Sequence, residues 1–389
     1  MVLSLSMFLL RWSDLFPKVP LDGLLFLLLV GLAFSLSASA RPITQASTPE
    51  RKTSTATPWL LSLYYLIACA LAGGPPALLI LLGRPYDVYG FGLPYVHVLM
   101  LAFTGYSGVR ALADFLESRQ KAALVTYVVL MVWLAVIASR GAVSFLVFAS
   151  LLLLASRVSL TPKRFVGLGG TGIAFLFGFG LFGDRRLDFQ IAQETGRPAA
   201  AGAILAYSKA SAAFLATGLP ATLMWAYLYV ASPVANLFSA FEYSDGSVCG
   251  RDCNIPGLVF HTLLPDVIGS RLASFLDVPQ IDKSTFLIQP DLTASTTFGS
   301  AVGYAGLLGA VSILAALLLI AGISLSILVG SDLQASGLAL LGTFLFFCFF
   351  ENMISYTPLS LQLAFCVGLA HRHKMAPKPR VSRRGLVWR

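Results

Sequence analysis

Charge is scarce in this chain. Asp, Glu, Lys and Arg make up 12% of its 389 residues, and hydrophobic residues make up 57%. A soluble domain carries about a quarter charged residues, so the bilayer is the natural solvent for this composition. The dyad alternation of a spanning β-barrel, in segments of about ten residues, is also missing. The apolar runs are continuous instead, and in lipid such runs must satisfy their backbone internally as helices. Cysteine is sparse: Cys69, Cys348 and Cys366 fall in apolar runs and read as small core residues. There is no GxxxxGK[ST] loop and no HExxH, which leaves ATP hydrolysis and zinc proteolysis without support. No internal repeat is visible. The first ten residues are apolar, but no charged stretch precedes them and no cleavage site follows. They read as a short first helix or an interfacial segment rather than a signal peptide.

What is present is a series of apolar runs close to the length of a membrane crossing. They lie at 20–38, 58–83, 93–109, 122–138, 141–157, 165–183, 298–324, 333–350 and 353–370. The expected fold is all-α, a polytopic transmembrane bundle of about nine to eleven spans, forming one integral membrane domain over 1–389. Pro75 and Pro76 predict a kink in the second run. Residues 199–240 are apolar but include Lys209, Pro220, Pro233 and Asn236. They read as interfacial or re-entrant helices, which together with the following residues to 297 form one large outer loop.

The net charge is +9. In this context basic residues anchor cytoplasmic helix ends, and no basic-aromatic module suggests nucleic acid. The tail 371–389 holds seven Lys/Arg and no acid, so it reads as cytoplasmic. Counting back places 233–297, with three basic and seven acidic residues, on the outer face. Cys249 and Cys253 lie there as CGRDC. In an oxidising compartment they suit a local disulfide, and a metal site would need a second pair or a well-placed His.

Basic residues on the outer face run against that bias. Arg185 and Arg186 sit in DRRLDFQIAQETGR, and Arg140 sits in a tight SRGA turn. Pairing with Asp184, Asp188 or lipid headgroups is their plain reading. Their chemical reading is an anion site, because the guanidinium fork binds phosphate oxygens bidentately and keeps its charge. Arg271 is a further candidate. Asp184, Asp188, Glu194, Asp266, Asp291 and Glu351 could act as bases. Glu351 stands out between two apolar runs beside Asn352. His261 is a candidate general base in the outer loop, with a polar contact as its plain reading. Tyr227, Phe241, Tyr243 and Tyr304 are rings in the same region, with core or interface packing as their plain reading.

Four stretches resemble a known family. They are SRGAV (139–143), LFGDRRL (181–187), YLYVASPVANL (227–237) and TASTTFGSAVGYAGLLGA (293–310). Together they are similar to the Wzy-type oligosaccharide repeat-unit polymerases, the O-antigen polymerases of bacterial surface polysaccharide assembly. The likeness covers about residues 120–330. It implies a GT-C-like glycosyltransferase in the bacterial inner membrane with its active site facing the periplasm. The substrates it implies are undecaprenyl-diphosphate-linked donor and acceptor oligosaccharides. It implies no cofactor and no metal, and a chain-length regulator protein is the partner to expect. Arg185, Arg186, Arg140 and Glu351 would serve catalysis; Arg271, Tyr227, Asn236, Thr297, Tyr304 and His261 would bind substrate. Two alternatives stand beside this reading. O-antigen ligases carry a functional His in the outer loop, and the segment HTLLPDVIG at His261 is partly similar. A lipid-linked oligosaccharide flippase would place its ionisable residues along a path and often shows repeats.

Overall fold

The computed structural model describes residues 2–39, 56–82, 90–157, 202–245, 247–250, 253–290 and 292–375, with isolated positions between 161 and 197. Among these residues the chain is helical and has no strand, only an isolated bridge between Ser13 and Ala210. Four helices are long and apolar enough to cross a membrane: Ala56–Ile80, Val96–Ser118, Arg140–Arg157 and Thr296–Leu328. Leu21–Leu36, Lys121–Val136 and Gln334–Phe347 are shorter and equally apolar. Arg185, Arg186, Glu194, Arg251, Asp291, most of the 165–183 run and the tail beyond residue 375 lie outside the described residues.

We label the helices in chain order. They are α1 (Val2–Leu9), α2 (Leu21–Ser39), α3 (Ala56–Leu71), α4 (Pro76–Leu81), α5 (Val96–Ser118), α6 (Lys121–Val136) and α7 (Arg140–Arg157). There follow α8 (Ala203–Tyr207), α9 (Ala212–Leu215), α10 (Leu223–Tyr243), α11 (Ile255–Leu258) and α12 (Asp266–Phe275), with a π-turn over Val259–Leu263 between the last two. The chain ends with α13 (Thr296–Leu328), α14 (Gln334–Phe347) and α15 (Thr357–Met375).

Several boundaries have plain physical causes. The first candidate span is interrupted after Leu71 and restarts with Pro76 in its first turn. A proline is tolerated there because that N–H has no helical partner anyway. α5 runs on past the apolar window to Ser118 and carries Arg110 and Asp114 inside the protein, Asp114 being only 7% exposed. The 199–240 stretch folds as two short helices followed by the start of α10, about 31 Å long at 1.5 Å per residue. Protein covers α10 on nearly every side: Met224, Leu228, Ala231, Val234, Leu237 and Phe238 are fully buried. Its Ser, Pro and Asn residues lower its hydropathy, and packing rather than lipid surrounds it.

The N-terminal segment closes over α10. α1 has eight residues, about 12 Å, too short to cross a bilayer core of about 30 Å. Phe8 meets Phe238 edge to face and stacks on Phe16, and Trp12 packs on Phe214 and Tyr227. These are the paired-ring geometries that aromatics favour.

α13 is broken. Ala305 and Gly306 leave helical geometry, and Gly306 has φ +52° and ψ −139°, a region that glycine alone adopts readily. The helix folds so sharply there that a Cβ on Gly309 would sit 2.0 Å from the Ala301 carbonyl oxygen. The backbone groups freed at the break are caught by the loop 247–254. Leu308 N–H donates to the Val248 carbonyl at 2.8 Å, and Asn254 N–H donates to the Tyr304 carbonyl at 2.9 Å. A disulfide between Cys249 and Cys253 closes that loop.

The C-terminal helices define two ends of the bundle. At one end Thr297 N–H donates to the Cys348 carbonyl at 2.8 Å, joining the start of α13 to the loop after α14. At the other end His373 pairs with Asp332 at 2.9 Å, and Lys374 Nζ donates to the Ser326 and Val329 carbonyls. Cations there suit the partial negative charge of a helix C-terminus. The loops 247–295 and 348–356 thus share the end opposite these basic residues.

The break in α13 predicts a specific weakness. A Cβ at Gly306 would lie 2.5 Å from Gly250 N and Ser247 O. Gly306→Ala should therefore cost about 3 kcal/mol, from backbone strain plus overpacking. A lowered thermal midpoint in detergent is the expected result; an unchanged midpoint would mean that the loop yields without cost.

Candidate functional site

The densest set of chemical groups lies where three segments meet at the loop end of the bundle. The first is the π-turn carrying His261, a departure from α-helix that is frequent at functional sites. The second is α12, which presses so closely on this turn that a Cβ on Gly269 would sit 1.9 Å from the Phe260 carbonyl oxygen. The third is the loop 348–356, at the junction of the apolar runs 333–350 and 353–370 and wider than the two residues between them. It unwinds because side chains and backbone of its neighbours hold it. Asn352 Nδ2 donates to the Thr262 carbonyl at 2.8 Å, and Asp266 N–H donates to the Ser355 carbonyl at 2.8 Å. Thr297 Oγ1 donates to the Glu351 carbonyl at 3.0 Å.

These contacts hold the Glu351 loop against the segments that carry His261 and Asp266, and those two side chains line a cleft. It has a volume of about 490 Å³ and is lined by His261, Asp266, Ser270, Ser274 and Gln280 among others. The His261 ring lies parallel to the Tyr304 ring, 5.8 Å between centroids and 13° between planes. Its Nε2 is buried with no hydrogen-bond partner. An unpartnered buried polar atom costs free energy, so it marks a place where a ligand group would be favourable.

The Glu351 and Asp266 carboxyls are both shifted by their surroundings. Burial pushes the Glu351 carboxyl above its usual range. Lys283 and the Asn352 N–H oppose that shift, and Asp266 adds to it. Asp266 is exposed over its residue surface, yet the protein around its carboxyl raises its pKa as well; Lys283 and then His261 act against the rise. Each carboxyl thus holds its proton more tightly than in water, and a carboxylate of raised pKa is the stronger base. Lys283 is the cation that both carboxyls feel.

The other sequence candidates fall into three groups. Thr297 and Tyr304 support the site: one holds the Glu351 backbone, the other stacks on His261 while its hydroxyl accepts from Ile281 N–H at 3.3 Å. Arg140 is exposed at the start of α7, at the same end as the site but outside the cleft lining, where a Cβ on its neighbour Gly141 would lie 3.4 Å from the Tyr356 hydroxyl. Arg271 turns away from the cleft, its guanidinium 3.8 Å from the centroid of the Tyr95 ring.

The third group is structural. Asn236 is fully buried; Nδ2 donates to the Leu292 and Ala294 carbonyls at 2.6 and 2.7 Å, and Oδ1 accepts from Ile288 N–H at 2.8 Å. Both its donors are spent on backbone, and the side chain ties α10 to the loop. Tyr227 is likewise fully buried, and its hydroxyl accepts from Trp12 N–H at 3.0 Å. Phe241 packs on Phe26 inside the core. Asp184 accepts from Thr222 Oγ1 and Trp225 Nε1, both at 2.8 Å, and ties its segment to the start of α10. That point is about 16 Å along the helix axis from Asn236. Arg185 and Arg186 lie outside the described residues.

Sequence reasoning missed Lys283, Ser270, Ser274 and Gln280. A signal was available for two of them: Asp266, Ser270 and Ser274 recur at four-residue spacing and so share a helix face. Among the described residues no group of three or more His, Cys, Asp or Glu side chains is arranged to hold a metal ion. No protein-family model, curated protein or solved structure matches the chain.

The raised carboxyl sets a sign for pH dependence. In the unfolded chain Glu351 titrates near 4.5; in the folded protein it binds its proton more tightly. Stability is therefore lost as pH rises from that value through the folded pKa, and is level above it. Glu351→Gln removes this term, so its gain in thermal midpoint over the natural protein should be larger at about pH 8 than at about pH 4. A gain that shrinks toward high pH would refute the burial of an ionisable Glu351.

Proposed function

We propose that this chain is a membrane glycosyltransferase that polymerises polyprenyl-diphosphate-linked oligosaccharide repeat units at the periplasmic face of the bacterial inner membrane. The observation that carries this reading is a cleft lined by His261 and Asp266 at the loop end of an apolar helical bundle, with Lys283 acting through its charge on the Asp266 and Glu351 carboxyls. Basic side chains gather at the opposite end, around Arg372, His373 and Lys374. By the positive-inside bias that opposite end is cytoplasmic, which turns the cleft outward. The Cys249–Cys253 disulfide supports the same orientation, since disulfides persist in oxidising compartments. The full architecture in this reading is a GT-C-like bundle of about nine to eleven spans with one large periplasmic loop.

The chemistry proceeds by attack of an acceptor sugar hydroxyl on the anomeric carbon of the donor, with polyprenyl diphosphate leaving. Glu351 removes the hydroxyl proton as its carboxylate. His261 Nε2 holds the acceptor through a hydrogen bond, with Tyr304 fixing the ring plane. Lys283 and the outer-face arginines Arg140, Arg185 and Arg186 meet the charge that develops on the diphosphate. Donor and acceptor share one cleft, so proximity contributes to the rate.

A second reading has its own support. The buried, unpartnered His261 nitrogen favours O-antigen ligase, in which a finished glycan passes to lipid A core. A flippase fits less well: the ionisable groups cluster at one end of the bundle.

Purified protein in detergent, given a lipid-linked repeat unit, decides among them. The polymerase reading expects a ladder of lengthened glycans, cut about 100-fold or more by Glu351→Gln and by His261→Ala. Transfer of a glycan to lipid A core with no ladder would make it a ligase. Neither product, from protein that is folded by its thermal transition, would overturn the glycosyltransferase reading.

A further inference from the structure

α12 has two faces with opposite tasks. Asp266, Ser270, Ala273 and Ser274 line the cleft. On the opposite side Ile268, Leu272, Phe275 and the following Leu276 are 52%, 39%, 85% and 53% exposed. At 3.6 residues per turn these four fall within an arc of roughly 100°. No described part of the protein covers them, and a phenylalanine left 85% exposed gains nothing from folding where it stands.

The depth of this face is set by a second contact. Arg271, beside the apolar arc, places its guanidinium 3.8 Å from the centroid of the Tyr95 ring. Tyr95 immediately precedes Val96–Ser118, one of the helices long and apolar enough to cross a membrane. α12 is therefore fastened to the mouth of a candidate span. Around it Leu93, Tyr95 and Leu99 are also exposed, at 50%, 47% and 43%. Arg and Tyr are residues of the membrane–water boundary, where an apolar body meets a polar tip.

We propose that α12 lies in the membrane interface, with Ile268, Leu272, Phe275 and Leu276 in the lipid of the leaflet at the cleft end and Arg271 at headgroup level. The helix has the composition of an interfacial segment: one apolar face, one polar face and a flanking cation. Its apolar arc continues the lipid-facing surface around Leu93 and Leu99. The occupant is the bilayer itself. One wall of the cleft then rests in lipid, and a ligand anchored in that leaflet reaches Asp266 and His261 at headgroup depth without leaving the membrane. This last consequence rests on the proposed glycosyl transfer; the seating of the helix does not.

The test uses the full chain in nanodiscs of phosphatidylethanolamine and phosphatidylglycerol. A bimane label is attached at Phe275→Cys, and in a second protein at Ser284→Cys, which lies on an exposed turn. The native free cysteines Cys69, Cys348 and Cys366 are buried, and Cys249 is paired with Cys253. Lipids brominated near the headgroup should quench the label at position 275 several-fold more than at 284, and aqueous iodide should do the reverse. Leu272→Cys should repeat the pattern if the first variant folds poorly. Equal iodide quenching at 275 and 284 would overturn the proposal. So would protection of 275 from both quenchers, which would mean that a second copy or another protein covers the face. The quenching needs no turnover, so its failure and the failure of the glycan ladder are separately visible.

Discussion

In an apolar solvent a backbone N–H or C=O without a partner costs several kcal/mol, and the loop end of this protein is organised by that cost. α13 breaks at Ala305–Gly306, and α14 stops at Phe347 ten residues before α15 begins at Thr357. Each interruption frees backbone groups. The first set is taken up by residues 247–254, closed by the disulfide. The second is taken up by Asp266 and Thr297, while the Asn352 side chain donates to the Thr262 carbonyl. The same pairings that satisfy the backbone bring the Glu351 loop against the segments whose His261 and Asp266 line the cleft. Position and polarity of the site thus share one cause.

This explains what could be read from the chain. The apolar runs mark where backbone bonds stay within a helix, so 20–38, 122–138, 141–157 and 298–324 coincide closely with α2, α6, α7 and α13. The proline pair marked the interruption before Pro76. α10 was harder to recognise. Its Ser232, Pro233 and Asn236 look like a loop on a hydropathy scale, yet in a protein-lined setting Asn236 finds three backbone partners and the helix runs through. Burial by neighbours is a tertiary fact that local composition does not encode.

The site was legible by residue type more than by arrangement. Glu351 drew attention because a carboxyl beside apolar helices is expensive, and His261 because it is isolated in a polar loop. Nothing local indicated that the Glu351 loop packs on the turn that carries His261, since 90 residues separate the two. Tyr227 and Asn236 looked like glycan contacts for the same reason that makes them good core residues here: a buried hydroxyl or amide needs partners, and backbone supplied them. Polar side chains in an apolar chain are ambiguous between strut and ligand. The structure separates the two by asking which donors are already spent.

That criterion also ranks the groups within the site. Thr297 and Asn352 have committed their side chains to the carbonyls of Glu351 and Thr262, so they hold the site rather than react in it. Glu351, Asp266 and Lys283 are coupled through their charges, and the sum of two carboxyls and one ammonium is net negative when all are ionised. Burial opposes that state and raises both carboxyls. A cation or a polar hydrogen arriving in the cleft shifts the balance toward the ionised form. A hydroxyl donating to a carboxylate does the same in smaller measure and lowers its pKa. The unpartnered His261 nitrogen stands at the cleft. Struts whose donors are spent thus stand beside a ring nitrogen whose hydrogen bond is not, and it is that nitrogen which a ligand at the cleft would satisfy.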